Sequence, residues 1–503
     1  MKQKVVLIGI DGMDSRLVEK FQDDMPNFKR IKEESPKIKM KSIFPPDTTP
    51  AWASIYTGLS PASHGVINFV NIADKSGGYK PFKINDKYFR GRTFWDIANT
   101  YNKKACIVLP CNIYPGWEIN GTMVCRINKI SSKGHPLSAF PKSILKKYPH
   151  SSLELNLLQG FISKAQLPEL IATCKRRTWA EFDLGLKILQ NEKWDLFFLY
   201  FSALDGIQHY FWSYFDETHP NYPGRNPYQD VIREFYILTD ETVGKLVNSV
   251  GSDVSIIILS DHGHGVRPYR LLNMNEVLRR EGILVAKNKK SKPVNSFHSS
   301  KWLKQRLMNF VKHYGAGYFL MRLSQKFPIW KKLLASPSAI DWKRTLAYVS
   351  DLSTVKSYSY GGIRINREIK GFDYEELIDQ ILNILSKIKD PDTSEKLVKW
   401  ALRREELYRG PYIDEYPEIV LELKEGYGLG WEINGDLFGS GDIHNIQPGA
   451  HKLDTPIFFM MNSKGKRCLR NEITLMDIAP TILDLLGVEE RPIFEGKSIF
   501  EAG

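Results

Sequence analysis

KVVLIGIDG (Lys4–Gly12) is an apolar run that stops abruptly at Asp-Gly. An unbroken apolar run of this length, without polar alternation, marks a strand buried on both faces, as in a parallel sheet. The same signature recurs at Ala105–Leu109, Asp195–Phe201, Val254–Leu259 and Pro456–Met461. Helical periodicity fills intervals between these runs, as at Thr178–Gln190 and Val231–Val250. Strands that alternate with helices predict an α/β fold, with a mostly parallel central sheet flanked by helices.

The rest of the chain is read around that sheet. Its 503 residues, 42% hydrophobic and 25% charged, have the balance of a globular protein, which excludes low-complexity disorder, collagen and a small disulfide scaffold. The length suits one large α/β domain over 1–503 with inserted cap regions. Residues 70–190 are expected to be a first insertion and 270–430 a second. The second holds a basic region, 286–344, that begins AKNKKSKPVNS and continues with apolar residues at helical spacing among lysines and arginines. Amphipathic helices are expected there, and a further helix at Tyr374–Lys389 after Asp373.

Lys plus Arg number 70 against 57 for Asp plus Glu, a net charge of +13. Such a surplus is either a solvated lysine-rich surface or a patch for peripheral contact with an anionic membrane or a polyanionic substrate. No zinc-finger or aromatic RNA-binding pattern is present, so there is no nucleic-acid motif. No apolar run approaches the ~18 residues that span a bilayer, and Met1-Lys-Gln-Lys leads into a strand without a cleavage-site pattern. Five cysteines with no CxxC pair fit reduced thiols. The expected location is cytoplasmic, peripheral at the inner membrane surface.

Chemistry-bearing residues follow the predicted strands. Asp11 ends the first, Asp205 follows the third with His209 four residues on, and Asp261-His262 follow the fourth; His451 lies in GAHKLD before the fifth. In open α/β sheets, sites form outside the carboxyl ends of the strands. Three carboxylates with three imidazoles suit a borderline divalent metal such as zinc or manganese. His451 competes with His444 and His264. Its GxH spacing and its distance to the next strand favour it, leaving His264 to line the loop and His444 to touch substrate or lie exposed. His64 is expected to be a structural hydrogen-bonding residue. Pro45–Gly65 (PPDTTPAWASIYTGLSPASHG) leads into a short predicted helix at Ala51–Tyr56. A hydroxyl at a helix start sits among unpaired N–H groups that suit a phosphate oxygen, and a metal there makes it a better nucleophile. Trp52, Tyr114 and Trp117 either wall a pocket or pack in the core.

Taken in order, these segments resemble the alkaline phosphatase superfamily. They are most similar to its type I phosphodiesterase/nucleotide pyrophosphatase branch and to predicted phosphohydrolase/phosphomutase relatives. The resemblance runs through IGIDGM (Ile8–Met13), the Thr48 segment with Thr57-Gly58 and His64-Gly65, and NIYPGWEINGT (Asn112–Thr122). It continues through DGIQH (Asp205–His209), Ser260–Gly263, IDWKRTLAY (Ile340–Tyr348), GIRINREIKG (Gly362–Gly371) and ELYRGPY (Glu406–Tyr412). It ends with Gly449–Asp454 and DIAPT (Asp477–Thr481).

The resemblance implies two divalent ions, zinc with manganese as the alternative. One is held by Asp205, His209 and His451, the other by Asp11, Asp261 and His262 with the Thr48 oxygen. It implies that Thr48 is the nucleophile and forms a phospho-threonine that water cleaves. Thr48 is preferred to Thr49 by its Thr-x-Pro pattern and its nine-residue distance to Thr57. Asn68 stands nearest the place of an asparagine that donates to a phosphate oxygen, one residue early. Asp47 departs from expectation, because a carboxylate beside a phosphate repels it unless turned away or paired.

The implied activity is that of a phosphodiesterase or pyrophosphatase on a phosphorylated small molecule, a nucleotide-sugar or a lipid-linked substrate. A phosphomonoesterase or phosphomutase is the alternative, weakened by the absence of Lys and Arg between Ser42 and Asp74. A catalytically inactive metal-binding or membrane-surface protein is the non-enzyme alternative. A sulfatase is excluded by the lack of a Cys or Ser in a C/S-x-P-x-R pattern.

Overall fold

A computed structural model describes residues 4–67, 88–126, 137–148, 153, 162–287, 340–350, 358–433, 435–440, 447–463, 465–489 and 494–501. The central sheet has seven strands: β1 (Lys4–Ile10), β2 (Ala105–Val108), β3 (Gly121–Arg126), β4 (Leu137–Phe140), β5 (Leu196–Phe201), β6 (Val254–Leu259) and β7 (Phe458–Met461). Their spatial order is β7–β6–β1–β5–β2–β3–β4. β1 lies inside the sheet, parallel to β5 on one side and to β6 on the other. Only the two edge strands run antiparallel, β7 on β6 and β4 on β3.

The apolar runs have the physical cause expected of them. Every residue of β5 and β6 is buried, as is all of β1 after Lys4. Alternate side chains of β1 enter two cores. Val6, Ile8 and Ile10 pack with the helices Leu167–Asn191, Ala203–Phe215 and Val231–Asn248. Val5 and Leu7 pack with Thr48–Thr57, Phe94–Thr100 and Ile478–Leu485. Each fully buried aliphatic side chain contributes roughly 1.5–3 kcal/mol, so a strand buried on both faces anchors the sheet that carries the site.

Within 70–190, β2 is the sheet strand expected at Ala105–Leu109, and β3 and β4 extend the same sheet, so Gly121–Phe140 is not an insertion. β2 pairs with β5 rather than with β1, its predecessor in sequence, and that crossover hides the continuity from a linear reading. Within 270–430 a separate four-stranded antiparallel sheet forms, in the order Ala347–Ser350, Tyr360–Ile365, Ile419–Leu423, Val398–Arg403. It is backed by the helix Tyr374–Lys387, capped by the Asp373 side chain at Glu376 N (3.0 Å). Residues 288–339, most of the basic region, lie outside the described residues.

The four-stranded sheet meets the segment that leads to Thr48. Phe44, Ala62, Tyr358, Tyr360, Tyr416 and Val420 form a small shared core. Tyr416 Oη donates to Phe44 O (2.9 Å), and Phe44 N donates to Tyr408 Oη (2.8 Å). All five cysteines are free thiols. Among the described residues, no helix is long and apolar enough to cross a membrane.

His64 fastens the turn after the Thr48 helix. Val66 N donates to its Nδ1 (3.0 Å), which leaves the proton on Nε2 to be donated to Ser54 Oγ (3.1 Å). Burial, with Arg92 nearby, pulls the imidazole pKa from 6.5 to about 3. The unfolded chain therefore takes up this proton first. The contribution to stability is complete above pH 6.5 and is lost as pH falls through the interval down to about 3. Between pH 7.5 and 5 the wild type is expected to lose about 2 kcal/mol more than His64→Gln, at roughly 1.4 kcal/mol per pH unit. Urea unfolding of both proteins at the two pH values measures this, and parallel losses would rule it out.

Candidate active site

Asp11 lies one residue beyond β1, where Gly12 turns with φ +67°. A Cβ on Gly12 would lie 3.1 Å from both Cβ and Oδ1 of Asp205, so the glycine admits the helix Ala203–Phe215 close to the strand end. Asp205 and His209 stand at i and i+4 on that helix and share one face. Asp261-His262 follow β6. The strand Gly263–Val266 then pairs antiparallel with Gly449–Lys452, which sets His264 directly opposite His451. Directly opposed residues in an antiparallel pair project from the same face.

These elements bring two groups of potential ligands together, Asp205–His209–His264–His451 and Asp11–Asp261–His262. Oδ1 of Asp205 lies 3.4 Å from Nε2 of His209, 3.5 Å from Nε2 of His264 and 3.4 Å from Nε2 of His451. A tetrahedral ion with bonds of about 2.0–2.1 Å holds its ligands near this separation. In the other group, His262 Nε2 is 3.6 Å from Asp11 Oδ1, 3.3 Å from Asp261 Oδ2 and 3.1 Å from Thr48 Oγ1. The rings of His262 and His451 stack at 3.8 Å and join the two groups.

Proton positions follow from the backbone. Nδ1 of His209 meets Gly449 O (2.9 Å), Nδ1 of His451 meets Pro46 O (2.9 Å) and Nδ1 of His262 meets Gly263 O (3.0 Å). A carbonyl only accepts, so each Nδ1 carries the proton and each neutral ring turns a bare Nε2 lone pair inward. His209 Nε2 and His451 Nε2 then face each other at 3.0 Å, lone pair to lone pair. Asp11 Oδ1, Asp205 Oδ1 and Asp261 Oδ2 are buried atoms with no hydrogen-bond partner among the described residues. Opposed lone pairs and unsatisfied carboxylate oxygens are costly alone. They form a coherent donor set around cations, and the residues present fit two divalent ions.

Titration tendencies agree. Burial, reinforced by Asp261 and Asp205, raises the Asp11 carboxyl well above its ordinary range, against the hydrogen bond donated by Tyr200 Oη to Asp11 Oδ2. Burial pushes Asp261 up to about 7. Burial also opposes ionisation of Asp205, but a proton taken up by His209, His264 or His451 outweighs it and holds that carboxyl well below the usual range. Burial lowers the pKa values of His209, His264 and His451, which keeps the imidazoles in the neutral, ligating form.

The helix Thr48–Thr57 starts three residues before the predicted Ala51 because Asp47 caps it, accepting from Thr49 N (3.4 Å). The unexplained Asp47 is therefore a helix cap, and its charge lies at the positive end of the helix dipole. Asn112 Nδ2 donates to Thr49 Oγ1 (2.8 Å), whereas Thr48 Oγ1 faces His262. Trp52 and Trp117 are core residues rather than pocket walls, with Trp52 set edge-on to Tyr200 (5.1 Å) and Trp117 stacked on Trp95 (6.2 Å). Tyr114 is half-buried against the same core.

Asn68 and His444 lie outside the described residues. Reading the sequence assigned no site role to two neighbours, Tyr200 and Asn112, and set His264 in the loop. His264 carried a signal, as the second His of DHGH, but nothing in the sequence told a ligand from a loop residue.

A family model described as type I phosphodiesterase / nucleotide pyrophosphatase matches residues 5–441. Over 150 residues the chain is 29% identical to the venom phosphodiesterase of Macrovipera lebetinus; the match spans 28% of this chain and only 17% of that protein. Two crystal structures of phosphonoacetate hydrolase from Sinorhizobium meliloti 1021, one with phosphonoformate and one with phosphonoacetate, share the fold. Their TM-scores are 0.53 and 0.51, each at 16% identity and covering 97% of this chain and 95% of the hydrolase. The shared fold is the alkaline phosphatase-like one.

The raised Asp261 carboxyl has a measurable consequence in metal-stripped protein. Its folded-state pKa lies above the ordinary 3.8, so its favourable contribution is complete below that value and is lost as pH rises through about 7. At pH 8, metal-stripped Asp261→Asn is expected to be more stable than metal-stripped wild type by on the order of 2 kcal/mol. The gap closes toward pH 4. Equal denaturation midpoints at pH 8 would show that burial exerts no such strain.

Proposed function

The chain belongs to the type I phosphodiesterase / nucleotide pyrophosphatase family, a family of phosphoric ester hydrolases, and on that premise we propose a two-metal phosphodiesterase or pyrophosphatase that works through a phospho-threonine at Thr48. The observation that carries the proposal is Thr48 Oγ1 at a helix start, 3.1 Å from His262 Nε2 and beside the unsatisfied oxygens of Asp11 and Asp261. Asp205, His209 and His451 would hold one ion. Asp11, Asp261 and His262 would hold the other, with the Thr48 oxygen. Zinc is the favoured metal and manganese the alternative. When bound, the ions lower the pKa of a hydroxyl and offset negative charge that develops at phosphorus.

The remaining work falls to the chain. Asp47 and Asn112 fix the first turn of the helix, so Thr48 rather than Thr49 presents its hydroxyl. The positive end of that ten-residue helix favours an anionic phosphate beside Thr48. Thr48 displaces the leaving alcohol or phosphate from phosphorus, and water then cleaves the phospho-threonine. Asn68 is assigned a hydrogen bond to a phosphate oxygen.

Charge favours a diester or diphosphate. Three ionised aspartates leave two divalent ions with one net positive charge, which a phosphodiester monoanion balances and a phosphomonoester dianion overshoots. The four-stranded sheet against Phe44–Pro46 is assigned substrate selection, as a cap within residues 270–430. The substrate class is a phosphorylated small molecule, including nucleotide-sugars and lipid-linked diphosphates. The basic 286–344 region is assigned peripheral contact with anionic membrane from the cytoplasmic side.

Chelator-stripped protein reloaded with zinc or manganese is expected to hydrolyse bis(p-nitrophenyl) phosphate faster than p-nitrophenyl phosphate. Thr48→Ala is expected to lower the diesterase kcat/KM by at least about a thousandfold while metal content stays unchanged. Faster monoester cleavage moves the reading to a phosphomonoesterase or phosphomutase. Metal-loaded protein inert on both substrates supports the inactive alternative.

A further inference from the structure

We propose that His264 is a fourth protein ligand to the ion assigned to Asp205, His209 and His451, closing that site with three imidazoles and one carboxylate. The inference rests on the two-metal reading above and goes beyond it by making the two sites chemically unequal.

A fully buried histidine is ordinarily a core residue with both nitrogens satisfied. His264 is fully buried, and neither Nδ1 nor Nε2 has a hydrogen-bond partner among the described residues. Its Nε2 lies 3.5 Å from Asp205 Oδ1, matching the 3.4 Å of the two assigned imidazoles. Its ring meets that of His209 edge-on, with centroids 4.7 Å apart.

The surroundings hold the ring in this place. Asp14 Oδ2 accepts from His264 N (3.0 Å), and Arg16 Nη2 donates to His264 O (2.8 Å). Trp212, one turn beyond His209, stacks on the imidazole at 5.5 Å. A Cβ at Gly449 would lie 2.5 Å from His264 Cε1, so the glycine vacates the volume that the ring occupies. Backbone, stacking partner and void together fix His264 Nε2 against Asp205.

Four protein donors complete a tetrahedral shell, as in closed zinc sites. The Asp11–Asp261–His262 site has one imidazole, two carboxylates and the Thr48 hydroxyl, and it retains the position at which the nucleophile meets substrate. A nitrogen-rich site favours zinc, whereas an oxygen-rich site also accepts manganese. The closed site is therefore the tighter and more zinc-selective of the two, and it fills first.

Zinc-edge X-ray absorption on metal-stripped wild type reloaded with one zinc per chain counts the imidazoles around that ion. Three imidazoles are expected. Two would place His264 outside the shell, and one would show zinc filling the Asp11 site first; either result overturns the proposal. Failure of the wild type to retain zinc would instead overturn the two-metal reading on which it rests. His264→Phe keeps a ring against Trp212 and removes the donor. It is expected to lower the imidazole count from three to two and to weaken the tighter zinc affinity by at least about tenfold. An unchanged count with unchanged affinity would overturn the proposal, and His264→Asn provides the same comparison if the Phe variant does not fold.

Discussion

Three largely buried carboxylates, Asp11, Asp205 and Asp261, converge at the carboxyl edge of one sheet, and the structure around them answers their mutual repulsion. Like charges this close are unfavourable in a medium poorer than water. Two of the three accept a hydrogen bond from the protein, and the third stands among histidines. Tyr200 donates to Asp11, Gly12 N donates to Asp261, and Asp205 is ringed by imidazoles. In each case one oxygen stays unsatisfied. Backbone carbonyls pin the rings of His209, His262 and His451 through Nδ1 and so aim their lone pairs at those oxygens. Cations would relieve the repulsion among these groups, which couples ion binding to the stability of the sheet edge.

The same constraint ties Thr48 to the second sheet. Pro46 O accepts from His451, Phe44 O accepts from Tyr416, and Asp47 caps the helix that begins at Thr48. Phe44–Thr48, five consecutive residues, thus connect a metal-ligand candidate, a four-stranded sheet and a hydroxyl. A shift of that sheet reaches Thr48 and His451 through one short segment. The position of that sheet and the alignment of the Thr48 hydroxyl are therefore mechanically linked. Trp52 adds a second link, because its ring packs on Tyr200, the residue that orients Asp11.

What was legible in the sequence follows from this physics. Buried parallel strands read as apolar runs, so β1, β5 and β6 stood out, and the residues just beyond them named Asp11, Asp205, Asp261 and His262. His209 followed from helical spacing. The edge of the sheet was less legible. β3 and β4 lack a long apolar run, so Gly121–Phe140 read as part of an insertion although Ala105–Leu109 read as a strand. The start of the Thr48 helix was misplaced because Pro50 and two threonines argue against a helix interior, whereas Asp47 makes them a first turn. His264 and Tyr200 were hidden for another reason. Only the antiparallel pairing of Gly263–Val266 with Gly449–Lys452, and the register of β1 against β5, place them at the site.

The distribution of charge separates attraction from chemistry. Residues 288–339 contain eleven Lys and Arg and no Asp or Glu, so of the net +13 only 13 − 11 = +2 belongs to the rest of the chain. Near the nucleophile the sequence is devoid of Lys and Arg from Ser42 to Asp74. A long-range field that draws in anions thus has its source in one segment, acting over a Debye length of about 10 Å. On the proposed two-metal reading, charge compensation at phosphorus comes from the ions that the aspartates and histidines would hold. An enzyme built this way gains little at its centre from a second negative charge on the phosphate. On the same reading, a further anionic group on the substrate, as diphosphates and lipid headgroups carry, adds attraction to the net positive charge that the sequence concentrates in 288–339.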